Sequence, residues 1–256
     1  MSQRSYYKRS FLQYCAFGLT LFTSLSNGFA EGVYNYLTEE ELYGDFEEEP
    51  TVVRDPLESV NRLTFKFNDF IYMNVVEHIA KCYQSVTPDS VERGASNFFK
   101  NLGYPTRLVS NLLQGRIKDG WLETERFTVN TTLGVVGVFP VANRFERLQS
   151  LSSEDMGQAF GAWGIGEGPY LVLPLLGPSN VRDLVGLVGD RVINPLKEPS
   201  SVIGDSTAQT VYSVTDFVVK SPTLMRTYSQ MKNAAVDPYS SMKNGYSQMR
   251  RLVIEE

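Results

Sequence analysis

The sequence predicts an all-α fold, a single helical domain interrupted by apolar loops rich in glycine and proline. Three observations carry that expectation. Apolar residues recur at helical spacing over much of residues 55–252. Proline and glycine fall where helices would start and stop, as at Thr87-Pro88, Gln114-Gly115, Ser221-Pro222 and Asp237-Pro238. No internal repeat and no run of alternating strands is visible. A chain of 256 residues is long enough for one such domain with a sizeable core.

Residues 1–30 read as an address. Arg4, Lys8 and Arg9 form a basic start, Phe11 to Leu25 a mostly apolar stretch, and Gly28-Phe29-Ala30 a small-x-small site. The expectation is a signal peptide cleaved after Ala30, and the alternative is an uncleaved anchor. Cys15 lies inside this stretch, but Gln13 and Tyr14 occupy the places where a lipobox needs small residues, so lipidation there is not expected. Removing three basic and no acidic groups leaves 21 basic against 29 acidic residues, a net charge of −8. That balance argues against a nucleic-acid partner and against simple electrostatic adsorption to anionic lipid. Cys82 is then the sole cysteine and His78 the sole histidine, too few for an internal disulfide or a structural zinc site. No metal and no cofactor is expected.

Residues 31–54 carry Glu39-Glu40-Glu41 and Glu47-Glu48-Glu49. Such a run repels itself and buries little, so it reads as an acidic flexible tether; docking on a basic partner is the alternative. From Asp55 a helix is predicted, with Val60, Leu63, Phe67, Phe70 and Ile71 on one face and Phe65, Tyr72, Val75 and Val76 making the others apolar too. A helix apolar all round is either central or faces lipid. Further helices are expected after Pro88, from Pro105 to Gly115, and over 116–133. Periodicity stops at Gly134 to Ala142, an apolar hairpin or loop. It resumes at 153–160, then over 180–193 with Ser179 as N-cap, and finally over 205–220, 222–235 and 238–252.

Between these lies the most unusual stretch, residues 164–183. Tyr170 to Pro178 is nearly unbroken apolar sequence, too short to cross a bilayer as a helix, and Pro174 spoils both helix and central strand. It holds no nucleophile, metal ligand or phosphate loop. Gly164, Gly166 and Gly168 imitate the start of a dinucleotide loop without the preceding strand and following helix. Glu154-Asp155 resembles a catalytic acid pair, but adjacent acids at a helix start also suit the positive end of its dipole. Gly157 and Gly161 are spaced for close helix packing. His78 is either a base on an apolar helix or a satisfied core or interface residue. Arg182-Asp183 is either a structural pair or, through Arg182, a contact for lipid phosphate.

Several ordered segments resemble the MlaA/VacJ family. They are Asp55-Pro56-Leu57-Glu58-Ser59-Val60-Asn61-Arg62 with Phe65-Lys66-Phe67-Asn68, Phe98-Phe99-Lys100-Asn101-Leu102 with Pro105, and Asn111 to Gly115. The series continues through Arg126-Phe127, Asn130 to Gly134, Glu154 to Gln158 with Trp163-Gly164, Gly168 to Pro174 with Arg182-Asp183, and Asp237-Pro238-Tyr239. The resemblance spans roughly residues 55–250.

It implies a helical disc in the inner leaflet of the outer membrane, facing the periplasm, around a central lipid channel. It implies phospholipid as cargo, taken from the outer leaflet and passed to a periplasmic lipid carrier, beside a porin trimer, with no bond broken. Leu133, Gly134, Gly137, Phe139 and Pro140 would then belong to a channel hairpin, and Gly164, Gly166, Gly168 and Tyr170 to its wall. Asn61, Asn68, Asn130 and Arg182 are the candidates for its polar lining. Two departures stand out: the lipobox is missing, and Pro140 stands where the family commonly has Asp, which fixes φ and removes a charge. Two other classes compete with lipid transport. A phospholipase would need an activatable nucleophile, and none is visible; a structural envelope protein would bind a porin or other partner without moving lipid.

Overall fold

The computed structural model describes residues 53–149, 151, 153–197 and 199–255. The expected leader with Cys15 and Ala30, and all but the last two residues of the tether, lie outside the described residues. Helix α1 (Glu58–Ile71) runs through one π turn, Tyr72–Val76, into α2 (Glu77–Val86) without a break. Thr87 is extended, as a residue before proline prefers, and ends the helix. Pro88 precedes α3 (Asp89–Leu102), and Pro105 sits in the first turn of α4 (Tyr104–Leu113). Gly115, at φ +77°, turns the chain into α5 (Ile117–Thr132).

The apolar segment after α5 is a string of turns leading into a short 3-10 turn, Val141–Arg144. Helix α6 (Met156–Ala162) starts at a true cap, because Asp155 accepts from the Gln158 amide at 2.8 Å. Two strands follow, β1 (Tyr170–Leu173) and β2 (Gly177–Asn180), paired antiparallel. This corrects the expectation that prolines exclude strand here. Pro174 lies in the turn, and Pro178 faces Val172, whose amide bonds elsewhere, so the missing proline N–H costs the ladder nothing.

Helix α7 (Val181–Ile193) is capped by Asn180, which accepts from the Asp183 amide at 2.8 Å; Ser179, the expected cap, is a strand residue. Residues 206–234 form one helix, α8 (Ser206–Ala234), and not two. Pro222 leaves the carbonyl of Val218 without its helical donor, and the Ser221 hydroxyl supplies one at 2.8 Å. Helix α9 (Pro238–Glu255) starts at Asp237-Pro238 as expected.

Tyr72, Val76 and Ala80 of the first helix pack with Leu224, Met225 and Tyr228 of α8 and with Leu176 of the hairpin turn. Tyr170 and Val172 of β1 pack with Tyr239, Met242, Tyr246 and Met249 of α9. The small hairpin is thus wedged between the first helix and the last two. Helices α6 and α7 touch through glycine: a Cβ on Gly186 would stand 2.4 Å from the Gly157 amide nitrogen. Gly161 lies so close to Ile254 of α9 that its Cβ would meet Cδ1 at 2.7 Å, so both glycines read as packing residues do serve it.

Candidate functional site

Beside its apolar core the protein buries many polar side chains and leaves large apolar ones exposed, unlike an ordinary soluble domain. Asn61, Asn68, Asn111, Glu123, Glu154, Asp155, Gln158, Asp183 and Arg250 are buried. Val60, Leu63, Phe67 and Phe70 form an exposed stripe on α1, and Val181, Val185, Val188 and Val192 another on α7. Leu112, Ile117, Trp121, Leu133, Val135, Val136, Phe139, Trp163 and Ile165 are exposed as well. No described helix is long and apolar enough to cross a membrane.

The buried asparagines of α1 have a definite task. Asn61 accepts from the Val172 amide at 2.9 Å and donates to the Tyr170 carbonyl at 3.0 Å. Asn68 accepts from the Leu175 amide at 2.7 Å and donates to the Leu173 carbonyl at 2.8 Å. Two side-chain amides on one helix face thereby satisfy the free edge of β1 as a third strand would. Tyr72, one turn on, donates to the Leu175 carbonyl at 2.8 Å, and Leu175 itself is left-handed at φ +65°.

Asn130 plays the same part for the apolar loop, accepting from the Ala142 amide at 2.9 Å. Gly134 is buried so tightly that a Cβ would stand 2.1 Å from the Phe139 carbonyl oxygen. Gly137, at φ +92°, lies against Asn101, with 2.5 Å left for a Cβ. The glycines and Asn130 thus fold the loop inward along its backbone, while Leu133, Val135, Val136, Phe139 and Pro140 remain exposed. Gly164, Gly166 and Gly168 are exposed, whereas Tyr170 is buried against Tyr239 and Tyr246.

Arg182 is buried beside Asp183 and donates to it through Nε at 3.0 Å, while its Nη2 finds no partner. The dominant partner of Asp183 is Arg250 of α9, which reaches it through Nε and Nη2 and grips Asp155 with two further bonds of 2.7 and 3.0 Å. Tyr246 also donates to Asp183, at 2.6 Å. Burial alone would raise the Asp183 carboxyl, but Arg250 and then Arg182 outweigh it and hold it below the ordinary range. Asp190 is pushed well above that range, first by burial and then by the charge of Asp155, although it accepts from the Met156 amide. The pair Glu154-Asp155 is thus divided: Asp155 caps α6 and meets Arg250, and Glu154 meets Arg116 at 2.8 Å and Gln114 at 2.6 Å. His78 is exposed, not a core residue.

A cavity of about 210 Å³ lies between α1, β2, α8 and α9. Phe65, Asn68 and Tyr72 form one wall, Gly177 and Pro178 a second, and Thr227, Tyr228, Met231, Ala234 and Ala235 of α8 and its end a third. Ser241, Met242, Gly245 and Tyr246 of α9 close it. Of the site candidates read from sequence, Asn68 lines this space, together with Phe65, Tyr72 and Pro178 of the apolar stretches. The sequence reading missed the wall from α8 and α9, which showed only as amphipathic helices. The available signal was Gly245, a glycine in mid-helix.

A family model described as "MlaA lipoprotein" matches residues 53–252. The chain belongs to the MlaA family. A protein of Rickettsia prowazekii without an assigned function is 31% identical over 206 residues, 79% of either chain. The intermembrane phospholipid transport system lipoprotein MlaA of Haemophilus influenzae is 28% identical over 196 residues, 76% of either chain. Its Escherichia coli counterpart is 35% identical over 153 residues, 58% of this chain and 61% of that one. A chain solved to show the structural basis for maintenance of bacterial outer membrane lipid asymmetry superposes with a TM-score of 0.63 at 27% identity. That match covers 78% of this chain and 99% of the other, so the MlaA architecture extends over nearly all of the solved one.

Proposed function

We propose that this protein is a non-enzymatic component of intermembrane phospholipid transport. It sits in the inner leaflet of the outer membrane, facing the periplasm and beside a porin trimer. There it takes phospholipid mislocalised in the outer leaflet and passes it to a periplasmic carrier. The observation that carries this reading is the exposed apolar stripes on α1 and α7, on a fold that buries amides and ion pairs beside its apolar core. Such a surface gains by lying in an acyl environment, and binding in the interfacial plane needs no spanning helix. The names of the Haemophilus and Escherichia relatives support it.

In this reading the loop with Leu133, Gly134, Gly137, Phe139 and Pro140, and the segment of Gly164, Gly166, Gly168 and Tyr170, border the lipid path. Asn61, Asn68 and Asn130 serve it by fixing the hairpin and the loop, since their amides are engaged with backbone. Deleting the gene is expected to raise outer-leaflet phospholipid and sensitise cells to detergent. Unchanged lipid asymmetry together with a purified protein free of phospholipid would sink the proposal in favour of a structural envelope role.

A further inference from the structure

We propose that the cavity between α1, β2, α8 and α9 is a seat for a single lipid hydrocarbon chain, kept open by Gly245. The proposal rests on the reading of this protein as a phospholipid handler and adds to it where a chain is held. Two observations meet there. The cavity, about 210 Å³, exceeds the ~150 Å³ apolar voids known to stay dry and bind small hydrocarbons. It is too small for a whole phospholipid, which would need a pocket well above about 300 Å³. Its inner end is buried at Tyr72, Thr227 and Tyr246, and its outer end reaches the surface at Ala234 and Ser241, so a chain can enter end-on.

The second observation is glycine usage. The other glycines inside described helices sit against neighbours that would meet a Cβ: Gly94, Gly120, Gly157, Gly161, Gly186 and Gly189 all have heavy atoms within 3.4 Å of that position. Gly245, in the middle of α9 and in the cavity wall, has nothing within 4 Å. Glycine inside a helix is unfavourable, so it needs a reason, and packing gives none here. Room for a ligand does.

The test uses the full chain reconstituted with phosphatidylethanolamine bearing a photoactivatable diazirine on one acyl chain, with a diazirine fatty acid as the second arm. Cross-linked residues are mapped by mass spectrometry. The expected result is labelling of Met231 and Met242, retained in Gly245→Ala and lost at least tenfold in Gly245→Leu. Gly245→Ala should keep or raise Tm, since a Cβ at 245 meets nothing. The Tm of Gly245→Leu is measured alongside, so that labelling lost from a protein with wild-type Tm is not lost folding. Labelling by phospholipid alone assigns the seat to a diacyl lipid; labelling by both assigns it to any acyl chain, and either supports the proposal. Undiminished wall labelling in Gly245→Leu would overturn it, as would label found only elsewhere on the protein, a result that leaves lipid handling itself intact. Absence of label from the whole protein would count against both.

Discussion

Asp183 and Asp190 lie one helix apart in charge logic though both belong to α7. Asp183 faces Arg250, Arg182 and the Tyr246 hydroxyl, and its folded pKa is lowered. Its contribution to stability is therefore present above the unfolded value of about 3.9 and is lost as pH falls below that. Asp190 faces Asp155 and the Met156 amide, with Arg250 and Asp183 beyond, and its folded pKa is raised. Its contribution is full below about 3.9 and declines as pH rises toward the folded pKa. Asparagine at 190 keeps the acceptor for Met156 and cannot ionise. Asp190→Asn is therefore expected to match or exceed the wild type in stability at pH 7 and to flatten the decline on the alkaline side of pH 4. Asp183→Asn, which deprives a buried arginine of its counter-charge, should cost about 3–5 kcal/mol at pH 7. Denaturant titrations across pH 4–8 check both, and an Asp190→Asn protein with the wild-type slope would refute the assignment.

At the scale of elements, the loop between α5 and the 3-10 turn stores strain. Val135 and Val136 are left-handed at φ +53° and +58°, a conformation that costs a β-branched residue about 1–3 kcal/mol. Both side chains are exposed, so no packing compensates locally. Asn130, Gly134 and Gly137 hold the turn instead. Val135→Gly should relieve the strain and, after the entropy that glycine adds to the unfolded chain, raise stability by about 0.5–1 kcal/mol. A lower Tm in that variant would show that the valine conformation is not strained. Most helix starts and stops were legible because proline, glycine and acidic caps act within a turn or two of sequence. The hairpin was not, because its edge is completed by Asn61 and Asn68, more than a hundred residues away. The split at Pro222 failed for a related reason: the serine before it repairs the carbonyl that proline abandons. The site was partly legible. Asn68 was named from sequence, while Gly245 acquires meaning only when α8 and α9 face each other across the cavity.

Across the whole molecule, the exposed stripes and the buried ion pairs form one arrangement. Arg250 ties α9 to α6 and α7 through Asp155 and Asp183, and Arg107 and Arg116 anchor Glu123 and Glu154 between α4, α5 and the start of α6. With so much polarity satisfied internally, the outer faces are free to be apolar without weakening the fold. Val185 and Val188 illustrate this: both stand more than half exposed on α7, while the opposite face of that helix carries the buried Gly186 contact and Asp190. Replacing both by lysine removes no internal contact of consequence, so the helical signal and Tm should stay within the small range of surface substitutions, about 0.5 kcal/mol. In a leaflet the same change is costly, because a charged side chain placed among acyl chains opposes insertion by up to about 2.5–3.5 kcal/mol each, less where lysine snorkels to the interface. Val185→Lys with Val188→Lys should thus weaken flotation with vesicles by at least tenfold while leaving the folded protein intact. If the double variant floats as well as the wild type, the α7 stripe does not face lipid, and its valines await a protein surface instead.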